Sequence, residues 1–153
     1  MSQPLHELAI ERQINAPPET VFRVWTQRTE EWFAPKPWRT RIIEQDFRAG
    51  GRSCLVMIGP DGNETPPMDG IFLEVIPNRS IVFTDAFTVG WIPQSPAFMV
   101  GFATLTPNAG GTLYRAGARH WDEESLKKHE AMGFREGWGK VVEQLAALAE
   151  AGG

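Results

Sequence analysis

Four side chains able to move a proton or orient a polar ligand group, Asp85, Tyr114, His120 and Glu130, fall in phases that turn them toward one interior. In TLYRAGARH, Arg115 and Arg119 share one parity and suit solvent, which sends Tyr114, Ala116, Ala118 and His120 to the opposite face, where the two alanines are expected to leave volume unfilled. In SIVFTDAF the bulky Ile81, Phe83 and Phe87 share odd parity with Asp85, so this carboxylate is expected to point inward with them. Winding the C-terminal segment at the helical period places Glu130 within its apolar stripe and His129 on the stripe's edge, as a fifth member of the set.

Two chemistries suit such a group. A carboxyl driven toward its neutral form by burial is a general acid, and Asp85 with His120 is a candidate acid–base pair. The competing reading is that Asp85 and His120 satisfy one another or adjacent backbone, as buried polar groups usually do. His120, His129, Asp85 and Glu130 are metal-ligand types, but no ligand-spacing motif links them, so neither a metal nor a cofactor is expected. No serine-centred triad order, reactive-cysteine motif, P-loop or dinucleotide fingerprint occurs.

A wall for a ligand is also present. Six tryptophans and nine phenylalanines stand against one tyrosine, and apolar rings line ligand pockets as well as cores. Trp32, Trp38, Phe87, Trp91 and Phe98 fall on or near loops and are expected at a cavity mouth. Met57, Met99 and Met132 add adaptable walls. Trp25, Trp121 and Trp138 are read as packing residues. Arg39, Arg41, Arg48 and Arg52 are read as solvating the outer sheet face.

The elements that must position these residues are legible in outline. HELAIERQI alternates as a strand, and the helix PETVFRVWTQ follows, with Pro18 in its first turn and Val21, Phe22 and Trp25 on one face. Pro35 and Pro37 confine EEWFAPKPW to a short turn or broken helix. Six β-rich runs then follow between residues 39 and 120, separated by turns rich in Gly, Pro and Asn and too close for crossover helices, so about seven strands are expected to pair antiparallel. Residues 122–151 read as one long helix with Asp122 as N-cap. Its HEAMGFREGWGK stretch carries Gly133, Gly137 and Gly139. The first two fall on the apolar face, where they would either admit close packing or leave a trough for a ligand. Gly139 falls on the other side.

Charge and length set the setting. At 153 residues the chain suits one domain, 1–153, with one core. A net charge of −4 with no basic patch argues against nucleic acid. The start of the chain has no apolar stretch of signal-peptide length, and no run is long enough to span a bilayer, so a cytoplasmic protein without a membrane partner is expected. The single Cys54 reads as a strand residue. A homodimer would find its surface at Val100 and Phe102, if these face outward.

The order β-α-α-β6-α resembles the helix-grip fold of the START-like, or SRPBCC, superfamily. INAPPETVFRVWT, EEWFAPKPW, DFRAGGRS, GIFLEVIPNRSIVFTDAF, GGTLYRAGARHWDEE and HEAMGFREGWGKVVEQL are similar to the branch typified by the C-terminal domain of the activator of the heat-shock-protein-90 ATPase. The resemblance implies an α+β fold in which a curled antiparallel sheet wraps a long C-terminal helix. It implies a cavity for a small, largely apolar molecule, lipid-like, aromatic or polyketide-like. The other roles it suggests are an enzyme of the cyclase or hydrolase type, with Asp85 and His120 as acid and base, and a stress-related co-chaperone module. Since the chain opens directly on the β-α-α unit, without the co-chaperone's additional N-terminal domain, a chaperone is not the expected partner.

Overall fold

The computed structural model describes residues 5–153, and residues 1–4 at the start of the chain lie outside the described part. Nine strands and four helices follow in the order β1 (His6–Ile14), α1 (Pro18–Gln27), α2 (Thr29–Trp32), β2 (Arg39–Gln45), β3 (Arg52–Ile58), β4 (Met68–Ile76), β5 (Ser80–Thr84), β6 (Phe87–Thr88), β7 (Ile92–Pro93), β8 (Val100–Asn108), β9 (Gly111–His120), α3 (Glu123–Ala131) and α4 (Phe134–Glu150). Seven strands form one antiparallel sheet in the order β1-β9-β8-β5-β4-β3-β2, which is open at both edges. This is the expected α+β, helix-grip arrangement. Register shifts at Ile42/Glu44 in β2 and at Phe72/Glu74 in β4 insert extra residues that bend those strands and increase their twist.

The alternation predicted for β1 and β9 holds. Leu8 pairs with Ala118 and Ile10 with Ala116 on the core side, while Glu7 lies opposite Arg119 and Glu11 opposite Arg115 on the other. The two arginines bond Glu7 and also cover Phe102, whose ring centroid lies 4.4 Å from the Arg119 guanidinium carbon and 5.2 Å from that of Arg115. Phe102 is thereby buried although it faces outward, so the apolar dimer surface expected at Val100 and Phe102 is not open there.

On the inner face, α1 inserts Val21, Val24 and Trp25, and α4 inserts Val142, Leu145, Ala146 and Ala149, into a core with Ile14, Phe72, Ile81 and Leu105. Arg12 reaches from β1 to Glu143 and Glu150, fastening the strand along α4.

Two local expectations are corrected. The segment 89–96, expected as one of the turns between the β-rich runs, contains β7, which pairs with β6 just before it as a separate two-stranded ribbon. The single long C-terminal helix is two helices. Gly133 adopts φ 93°, a left-handed conformation that glycine enters without the Cβ penalty, and α4 starts afresh after it. Asp122 does cap α3, accepting the Ser125 N–H at 2.7 Å. Among the described residues no helix is long and apolar enough to cross a membrane.

Candidate functional site

A cavity of about 470 Å³ opens between the β3–β5 part of the sheet, the α1–α2 segment and the loops that precede β4 and β8. Its size lies within the range of small-molecule pockets. Strand alternation builds its floor: Ser53 and Leu55 from β3, Gly70 and Phe72 from β4, and Phe83 from β5 all line it. Trp25 and Phe33 close the helical side. Pro66, Pro67, Met68, Phe98 and Met99 form much of the remaining wall, and Met68 and Phe98 are themselves partly open to solvent. Gly101 pairs with Phe83 across β8 and β5, and a Cβ at 101 would overlap the far edge of the Phe83 ring, so this glycine lets the ring lie flat on the sheet.

The segment joining β5 to β8 is pinned at its base. Both oxygens of Asp85 accept the Phe98 N–H at 2.9 Å, and one also accepts the Met99 N–H at 3.2 Å. The Thr84 hydroxyl donates to the Met99 carbonyl at 2.9 Å. Gln94, just after β7, donates its carboxamide N–H groups to the carbonyls of Asp69 at 3.0 Å and Asp85 at 2.9 Å. Asp85, Phe98 and Met99, named among the expected binding residues, are placed in the cavity wall, with the carboxylate occupied by main-chain donors.

His120 reaches the same segment from the other side. Its Nδ1 lies 3.0 Å from the Phe98 carbonyl, which can only accept, so Nδ1 carries the proton. His120 Nε2 is 2.9 Å from His129 Nδ1, and in the neutral pair Nε2 accepts the proton of His129. His129 is enclosed by the rings of Phe98, Phe134 and Trp138, with centroids 4.7, 5.1 and 6.2 Å away. Burial first, and then the neighbouring His120, push His129 down to about 4. Burial also lowers His120, against the opposite pull of the Phe98 carbonyl and the Asp122 carboxylate.

The expected convergence of Asp85, Tyr114, His120 and Glu130 does not form. Asp85 and His120 meet through the backbone of Phe98 rather than at a shared opening, and His120 is not in the cavity wall. Tyr114 lies fully buried in the core, where its hydroxyl accepts the Trp25 indole N–H at 2.9 Å. Burial pushes the Tyr114 phenol upward. Ala116 and Ala118, expected to leave space beside it, are packed, the latter among Leu8 and Phe134. Glu130 is exposed on α3, 4.0 Å from Arg135, because the break at Gly133 resets the helical phase used to place it inside. Among the described residues no third ligand-type side chain joins the two histidines in a metal-binding group.

The remaining expected binding residues scatter. Trp32 is buried in the core at 2% exposure, packed against Trp25 and Phe33, instead of standing at the mouth. Trp38 lines a separate surface depression with Pro60 and Glu64. Phe87 and Trp91 pair edge-to-face on the ribbon, where Trp91 covers Gly50. Met57 is half-buried outside the wall, and Met132 is 67% exposed at the end of α3. A Cβ on Gly133 would meet only the end of the Glu136 side chain, and one on Gly137 nothing within 4 Å, so neither glycine serves close packing, and neither lines the cavity.

Several wall residues lie outside the expected set. Trp25, expected to pack, borders the cavity as well. Ser53, Leu55 and Phe83 were within reach, since alternation from the buried strands puts them on the inner face. Gln45, Gln94 and the Pro66–Pro67 segment carry no local signal for such a role.

The comparisons agree with this architecture. The family model described as Activator of Hsp90 ATPase homolog 1-like protein matches residues 15–150. A crystal structure of a Nitrosomonas europaea protein is similar with a TM-score of 0.86 and 35% identity, covering 99% of this chain and 97% of that one. A Mycobacterium smegmatis protein shares the fold at TM-score 0.76 and 23% identity, with 95% of each chain covered. The solution structure of an AHSA1-like protein from Aeromonas hydrophila does so at TM-score 0.70 and 19% identity, covering 95% of this chain and 92% of that one. No curated protein matches the chain. With the family model spanning most of the sequence and a close structural relative over nearly all of it, the chain belongs to the Activator of Hsp90 ATPase homolog 1-like family.

Proposed function

We propose that this protein binds a small, largely apolar molecule, and that the site is the cavity above β3, β4 and β5. The observation that carries this reading is the 470 Å³ space itself, walled by Trp25, Phe33, Leu55, Phe72 and Phe83 and rimmed by Phe98 and Met68. Apolar surface of this kind gains from leaving water, and its rings accept a flat or alicyclic body. Binding is favoured over acid–base turnover because both Asp85 oxygens are held by main-chain amides and His120 stands outside the wall.

Isothermal titration with uncharged naphthalene derivatives, together with native mass spectrometry of protein taken from its own cells, tests this. A saturable one-to-one complex is expected, weakened about tenfold or more when Met99→Trp fills the wall. Absence of any complex, or a complex indifferent to that substitution, would refute the assignment.

A further inference from the structure

The polar atoms of the cavity wall are unevenly divided between donors and acceptors. Gln94 has both carboxamide N–H groups committed to the Asp69 and Asp85 carbonyls, which fixes its orientation and leaves its Oε1 without a donor. Gln45 adds a second acceptor. The Thr29 hydroxyl lies 2.7 Å from the Trp25 carbonyl and 3.3 Å from Gln45 Oε1. A hydroxyl has one proton and the shorter contact takes it, so two acceptors would face each other unless the carboxamide turns over. Turned over, Gln45 donates one N–H to Thr29 and keeps a carbonyl oxygen with no donor, beside a second N–H.

Charge points in the same direction. Asp69 and Asp85 border the cavity, and no lysine, arginine or histidine does so among the described residues. The nearby Arg52 is committed to Asp69 at 3.1 Å and to Glu44 at 3.2 Å. The donors that remain are the Ser53 and Thr65 hydroxyls and the second N–H of Gln45, none of them charged. An anion entering this space would lose its hydration with no cation to replace it, a cost that paired burial alone can offset.

Resting on the binding role proposed above, we infer that the site selects an uncharged ligand that donates a hydrogen bond, a phenol, alcohol or aromatic amine on an apolar ring system, and excludes the corresponding carboxylate. Gln94 is the residue that reads the donor, with Gln45 as a second acceptor.

Three probes of one ring size separate the elements of this inference: 2-naphthol, 2-methoxynaphthalene and 2-naphthoate, titrated calorimetrically into the whole protein at neutral pH. The expected order is naphthol tightest, the ether about tenfold weaker for want of a donor, and the carboxylate weaker still. In Gln94→Leu the preference for naphthol over the ether should shrink to about threefold or less. Since the wild-type series already discriminates, the test does not depend on that variant folding. Carboxylate binding equal to naphthol would overturn the charge selection, and ether binding equal to naphthol would overturn the donor requirement, with the binding site itself intact in both cases. Binding of none of the three would remove the binding role and this inference together.

Discussion

His120 Nε2 and His129 Nδ1 stand 2.9 Å apart, joining the end of β9 to the last turn of α3. Because His120 Nδ1 is already bonded to the Phe98 carbonyl, the pair also anchors the segment that carries the cavity rim. It is a latch built of two neutral rings, and its energetics follow from what happens when either is charged.

Acidification should loosen it. Both imidazoles are depressed by burial, His129 to about 4, so between pH 6.5 and 4 the unfolded chain binds protons that the folded chain does not. The latch therefore contributes its full stability above pH 6.5 and loses it as the pH falls toward 4, on the order of 2 to 3 kcal/mol for His129. Urea unfolding at pH 7 and pH 4.5 measures this. His129→Phe should show a smaller loss between the two pH values than wild type, which separates the imidazole from the carboxylates that also titrate; an equal loss would contradict the assignment.

Tyr114→Phe removes the acceptor of the buried Trp25 indole N–H. An orphaned buried donor costs about 1 to 3 kcal/mol. Denaturant midpoints should move down accordingly. Ligand affinity should change little, because Tyr114 is outside the cavity wall while Trp25 stays held by the rings around it.

The glycines of the C-terminal helices should separate by role. Gly137→Ala and Gly139→Ala meet nothing within 4 Å and should each stabilise by about 0.5 to 1 kcal/mol, with binding unaltered. Gly133→Ala, at φ 93°, should destabilise by about 1 kcal/mol or more. Thermal unfolding of the three variants checks the sign at each position.

Gly101→Ala tests the floor of the cavity. The added methyl displaces the Phe83 ring, whose free direction is the cavity it lines. Stability should fall by about 1 to 3 kcal/mol, the usual range for overpacking. Affinity for a naphthalene-sized probe should fall with it, whereas Gly101→Ala combined with Phe83→Leu should recover much of the binding.

Sequence alone determined the seven strands of the main sheet, the inner and outer faces of β1, β5 and β9, the Asp122 cap, and the family resemblance that the comparisons bear out. These are local properties: a period of two sorts faces whatever the sheet packs against, and turn residues end strands wherever they fall. Convergence of the polar residues was decided only by tertiary structure. One left-handed residue at Gly133 rephases the helix, carrying Glu130 to solvent and His129 beneath the aromatic rings. The position of the cavity was decided likewise. The small residues Ala116 and Ala118 predict room beside β9, but Trp25, Leu8 and Phe134 occupy it, and the space lies instead over β3, β4 and β5. Volume is left wherever packed side chains fail to meet, and that depends on the placement of every element at once.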